Sequence, residues 1–315
     1  TTRAVNMGGQ TPGKGNVIDF MTIPTLGNAT DFGDLTQSTR QIAGNCSTTR
    51  AFAMGGDNQG PPSTAQNRIE MVEISTTGNA IDFGDLTQAT ASAPQGCGSF
   101  TRGLNGGGQT PSYTSVINTI NYGSLGNAID FGDLTQARRL MAAFSDTQRG
   151  CWAGGIEPSA NSDVIDFVTI SSFGNATDFG DLTEVKDSPQ SGSDSHQGIE
   201  ALQPRAPELY SPTGKPLQFP DGKGDIGIAG GGWNGSSYES STEFLQISTT
   251  GNGQDFGDLS YGRQNLGGMA STTRNINING SAPSNLSDCD YLEFATKGNS
   301  ADFGDLTTYR RGNTS

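Results

Sequence analysis

The chain is poor in the residues that most chemistry needs. It holds one histidine, His196, two tryptophans and 18 Lys plus Arg in 315 residues. One histidine cannot furnish a His-based metal site or the Tyr/His/Cys set of a copper oxidase. Ser-His-Asp catalysis would rest on His196 alone, and no G-x-S-x-G elbow accompanies it. The four cysteines, Cys46, Cys97, Cys151 and Cys289, show no C-x-x-C or Cys/His spacing, which argues against zinc and for isolated reduced thiols. No Lys/Arg cluster exists to neutralise a phosphate backbone, so a nucleic-acid partner is not expected. No apolar run reaches 18 residues, so no membrane insertion is expected, and no signal-peptide pattern opens the chain. The first residue is Thr1, not Met, as expected of a piece of a longer or processed polypeptide.

What is abundant is glycine, 46 residues, and repetition. GNATDFGDLT starts at residue 27, GNAIDFGDLT at 78 and 126, GNATDFGDLT at 174, GNGQDFGDLS at 251 and GNSADFGDLT at 298. A lone DFG is also the metal-holding turn of protein kinases. Six copies without an HRD-type loop or a strand lysine exclude that reading, because a catalytic site is needed once and a stacking unit many times. The repeat also explains the net charge of −14. Asp31, Asp34, Asp82, Asp85, Asp130, Asp133, Asp178, Asp181, Asp255, Asp258, Asp302 and Asp305 all belong to the motif, and the remaining charges nearly balance.

The copies define a unit of about 48 residues with one longer interval, between 174 and 251. Between copies, apolar runs end in glycine pairs, as in TTRAFAMGG (48–56) and CWAGG (151–155). Alternating runs follow, such as NRIEMVEIST (67–76) and SDVIDFVTIS (162–171), and their period of two predicts strands, not helices. Each unit therefore reads as four strands: a small-residue strand, one ending in Gly-Gly, the alternating one, and the DFGD strand. Six such units predict an all-β, six-bladed β-propeller forming one domain over 1–315. The chain starts inside a unit, with TTRAVNMGG, and ends inside one, with DLTTYRRGNTS. The N- and C-terminal strands are thus expected to share a blade and lock the ring. The expected blades are 1–37 plus 308–315, 38–88, 89–136, 137–184, 185–260 and 261–307.

This order of strands resembles the kelch repeat. Phe32, Phe83, Phe131, Phe179, Phe256 and Phe303 stand where kelch units carry tryptophan, and Arg40, Arg139, Arg263 and Arg310 lie near the kelch arginine. The tryptophan is missing and Ala91 stands near the arginine position of the second unit, which marks a divergent, kelch-like sequence. The near-identical GNAxDFGDLT wording also resembles structural and tail-fibre proteins of marine tailed bacteriophages, cyanophages in particular. That resemblance implies a virion location, other virion proteins or a host cell-surface glycan or receptor as partners, and a role in host attachment.

Within the motif, Gly-Asn suits a turn, the phenylalanine is the expected inter-blade core residue, and the inner glycine allows a bend or a close approach. The aspartates are expected to accept hydrogen bonds from turn or adjacent-blade N–H groups. No cofactor is expected; Ca²⁺ at the aspartate pairs is the alternative, with few ligands per unit and no EF-hand spacing. Asn-x-Ser/Thr triplets at Asn28, Asn175 and Asn234 follow from composition. Residues 186–224 break the pattern with six prolines, and Tyr210 and Phe219 there are the candidate partner-binding aromatics. The motif acids form a symmetric set, whereas a glycosidase needs two carboxylates in different environments. The expectation is a non-enzymatic particle component; a secreted or cell-surface bacterial glycan- or protein-binding propeller is the alternative.

Overall fold

The computed structural model describes residues 3–10, 15–58, 64–91, 95–195, 224–282, 284 and 286–312. These residues form no helix. They build six antiparallel blade sheets and one two-stranded ribbon, Gln109–Thr110 with Ser112–Tyr113. The first blade contains Arg3–Met7, Val17–Thr22 and Thr30–Asp34. From the axis outwards, the second runs Ala43–Cys46, Arg50–Met54, Thr64–Glu73, Ile81–Thr90, and the third Gln95–Gly98, Arg102–Gly106, Val116–Asn121, Ile129–Asp133. The fourth runs Ala142–Ser145, Arg149–Ala153, Val164–Thr169, Thr177–Asp181. The fifth runs Gln190–Ser193, Ile226–Gly230, Ser241–Gln246, Gln254–Asp258, and the sixth Gly267–Ala270, Arg274–Ile278, Leu286–Glu293, Ala301–Arg310. Inner strands of successive blades lie side by side around the axis. The protein is an all-β, six-bladed propeller of four-stranded blades, as the repeat predicts.

Closure is visible from both ends of the chain. Gln10 and Arg311 exchange backbone hydrogen bonds, and Ala4, Met21 and Ile23 of the first blade share a core with Ile276, Phe303 and Leu306 of the sixth. The expected C-terminal contribution to the first blade, 308–315, divides: residues 308–310 end the sixth blade's outer strand, and 313–315 lie outside the described residues. The fifth blade's inner strand, Gln190–Ser193, falls inside the stretch read as the insertion, and Lys186 is buried. The blade therefore keeps 186–195, and the pattern-breaking segment narrows to 196–223. His196, Tyr210 and Phe219 lie outside the described residues.

The core is not one mass but six layers, one between each pair of blades. Phe32 packs with Ala51, Ala53, Val72 and Ile74 of the following blade, and Phe179 with Ala229, Leu245 and Ile247 of its follower. All six motif phenylalanines are 2–4% exposed. A phenylalanine and a leucine three residues apart would face opposite sides of a regular strand. In every blade a register shift at the motif inserts one extra residue, and the Phe/Leu pairs 32/35, 83/86, 131/134, 179/182 and 303/306 each point into one shared core.

Candidate functional site

The repeated motif is the most chemistry-like feature of the sequence, and its contacts define what it does. The N–H groups of Gly78 and Ala80 donate to the carbonyls of Phe32 and Asp34 in the preceding blade, at 2.8 Å each. The Asn79 side chain, between them, accepts the Asp34 N–H at 3.1 Å. The same three bonds recur from Asn127 to Asp85, Asn175 to Asp133, Asn252 to Asp181 and Asn299 to Asp258. The sixth set runs from Gly27, Asn28 and Ala29 back to Phe303 and Asp305, joining the first blade to the last. Gly-Asn-Ala of one blade, with Gly253 or Ser300 in place of the alanine in two copies, is thus a clasp on Phe-Gly-Asp of the blade before it.

The inner glycine is what lets the clasp close. At Gly33, Gly84, Gly132, Gly180, Gly257 and Gly304, φ lies between +140° and +155°. A Cβ built at any of them would meet the clasp glycine's carbonyl group, or Gly298's Cα, at less than 3.0 Å. Both the backbone conformation and the approach exclude a side chain.

The aspartates divide by position. The first of each pair (Asp31, Asp82, Asp130, Asp178, Asp255, Asp302) is exposed on the rim. The second takes part in the clasp through its backbone, and Asp133 and Asp258 also accept a serine hydroxyl, from Ser115 and Ser240. Loss of solvent, then the negative charges of Asp163 and Asp178, push the Asp181 carboxyl upward. Among the described residues no group of three or more His, Cys, Asp or Glu side chains is placed to hold a metal ion.

A second layer of polar contacts lies inside the rim. The Thr or Ser three residues after each motif glycine reaches an acid or amide on the third strand of the next blade. The pairs are Thr36 with Glu70, Thr87 with Asn118, Thr135 with Asp166, Thr183 with Glu243, Ser260 with Asp290 and Thr307 with Asp19. Three of these acids also meet a fully buried cation four residues after the motif leucine: Arg138 with Asp166, Lys186 with Glu243 at 2.8 Å, and Arg263 with Asp290 at 2.6 Å. Where Thr90 replaces the cation, the acid position holds neutral Asn118, and where Thr39 replaces it, Arg68 approaches Glu70 at 3.4 Å. At these five interfaces charge is matched, as burial demands.

This places the arginines differently from the sequence reading. Arg263 occupies the buried position, but Arg40 and Arg139 sit one residue later, on the face of the ring, where Arg40 pairs with Asp57 and Arg139 lies over the Tyr113 ring. The buried cations are Arg138 and Lys186, which the motif comparison did not select; their spacing of four from Leu134 and Leu182 is the signal that would have found them. A third tie was also missed. Arg3, Arg50, Arg102 and Arg149, each opening a second strand, donate to the carbonyls of Ile74, Tyr122, Ile170 and Ile247 of the next blade at 3.0–3.1 Å.

All four cysteines are free thiols, and burial pushes those of Cys46 and Cys289 up to about 12, so both stay protonated at neutral pH. No protein-family model matches the chain, and no curated protein matches it.

Proposed function

We propose that this chain is a non-enzymatic structural protein of a phage particle, a kelch-like propeller in a fibre or appendage that takes part in host attachment. One observation supports it most: the motif that looks like a site is spent, six times over, on main-chain clasps between blades. A motif used this way gives rigidity, and a rigid ring with polar, glycine-, serine- and asparagine-rich loops suits a particle component that meets a wet, variable cell surface. The virion location rests on the wording of the repeat. Mass spectrometry of purified particles that lacked this polypeptide would remove it.

The attachment half is tested by binding of the fluorescently labelled protein to candidate cyanobacterial cells. The comparison variant replaces 195–224 with a single Thr, so that Asp194-Thr-Asp225-Ile226 copies the fourth blade's turn from Asp146 to Arg149. The flanks suit such a graft, because Asp194 accepts the Gly224 and Ile226 N–H groups much as Asp146 accepts those of Gln148 and Arg149. Saturable binding by the intact protein is expected, with at least a tenfold loss in the variant. Failure of the intact protein to bind any cell tested would overturn the attachment role.

A further inference from the structure

The arginine that opens a second strand faces the last residue of the third strand, and in two blades that residue is an acid. Arg50 bonds Glu73 at 2.8 Å, and Arg274 bonds Glu293 at 3.3 Å, each across the sheet. Arg102 of the third blade faces Asn121 instead. Its guanidinium donates to the Ile170 carbonyl at 3.0 Å and to no other group among the described residues. Asn121 does not stand in for the acid, because its Oδ1 accepts the Gly123 N–H at 2.9 Å. Arg102 is thus a half-buried cation with N–H donors to spare and no carboxylate.

Space adjoins it. The first and fourth blades, whose arginines face Thr22 and Thr169, carry Phe20 and Phe167 on the third strand beneath the guanidinium, at 4.6 and 4.8 Å. The third blade has Thr119 at that position. The ring under Arg102 comes from the next blade's tip, Phe173, at 4.9 Å, and it packs on Phe131 at 5.2 Å. A recess of about 260 Å³ remains at the rim, lined by Arg102, Asn121, Ser124, Asn127, Leu125 and Phe173 among others. A cavity of about 150 Å³ is enough to hold benzene, so a six-membered ring with its substituents has room here. The lining mixes polar donors with apolar surface. The Asn127 Oδ1 is held by the Asp85 N–H, as that of Asn121 is by Gly123, which leaves both amide Nδ2 groups as donors. Leu125 and Phe173 stay 64% and 53% exposed.

We propose that this recess binds a hexuronic acid, the carboxylate-bearing sugar of a cell-surface polysaccharide. The carboxylate takes the place on Arg102 that Glu73 and Glu293 take in the sister blades, where the guanidinium fork matches it. The Asn121 and Asn127 amides donate to ring hydroxyls, and the C–H face of the sugar packs on Phe173 and Leu125. Exposed Asp130 nearby does not exclude an acid. Asp82 stands at the same place in the second blade, and Glu73 pairs with Arg50 there all the same. The polysaccharide source rests on the attachment reading, to which the recess adds a second contact. Sugar binding itself is measured without cells, so the two fail separately.

The test titrates the whole chain with methyl β-D-glucuronide and with methyl α-D-galacturonide, followed by amide NMR shifts. The shifts are expected to centre on Arg102, Asn121, Ser124 and Asn127, and at least one of the two acids should bind at least tenfold more tightly than its neutral methyl glycoside and than acetate. Asn121→Glu supplies the carboxylate from within, as the second blade does; it should melt no lower than the native chain and weaken the sugar acid at least tenfold. Equal affinity for acidic and neutral sugars, or retained binding in a folded Asn121→Glu variant, overturns the proposal. So does acetate that binds as tightly as either acid, which would make Arg102 a site for any carboxylate. A bound sugar acid beside a native protein that binds no cell tested would leave the recess assigned and remove the attachment reading alone.

Discussion

Replacing Gly132 with alanine is expected to destabilise the protein by about 3 kcal/mol or more, read as a drop in the denaturation midpoint at unchanged slope. Two separate effects add. At φ +151° an L-residue pays backbone strain of about 1–3 kcal/mol. The new Cβ also collides with the main chain of Gly174 in the next blade, which cannot move without opening the clasp. Gly126 provides the control, since its φ is +148° but a Cβ there meets nothing within 4 Å. Gly126→Ala should therefore show the strain alone. If the two substitutions cost the same, close approach between blades is not what the motif glycine provides.

The buried ion pairs should give an effect of similar size with a different signature. Arg138→Met leaves Asp166 charged and uncompensated at full burial, and about 3–5 kcal/mol of stability is expected to go. Asp166→Asn alone strands the guanidinium and should also be strongly destabilising. The chain itself contains the neutral solution, Thr90 and Asn118 at the equivalent positions one interface earlier. Arg138→Thr combined with Asp166→Asn copies that interface and should recover most of the loss, so that the double-mutant cycle shows a coupling of about 2 kcal/mol or more. Additive losses would mean that the pair does not act as a unit.

These two predictions rest on features that were unequally legible in the sequence. The blades were legible because strand period, glycine pairs and a fixed repeat are local signals. Phe32 and its five equivalents were legible because they are the large apolar residues shared by all copies, along with the leucine. The partner of Asn79 was not, because the Asp34 N–H that it accepts lies in another blade, 45 residues away. The buried cations were obscured because Arg138 and Arg139 are adjacent, and only the ring geometry shows which turns inward. The inner strand Gln190–Ser193 was hidden because it is short, small and polar.

The calcium alternative at the aspartate pairs stands apart from these features. The first aspartates point to solvent around the rim, and no third acid joins any pair closely enough to form a cluster among the described residues. A ring of carboxylates of this kind sets the charge of the outer wall and disfavours close packing of acidic neighbours against it.

The central claim is that one clasp, repeated six times, both joins neighbouring blades and closes the ring. Amide hydrogen exchange of the native chain tests it most directly, at Asp34, Asp85, Asp133, Asp181, Asp258 and Asp305, whose N–H groups each donate to a clasp asparagine. All six lie on outer strands near solvent, where an unclasped amide exchanges quickly. The account predicts protection of the same order at all six, Asp305 included, because the Asn28 clasp across the closure is equivalent to the other five. Fast exchange at Asp305 beside five protected amides would contradict it, and would show a row of blades that the motif joins but does not close.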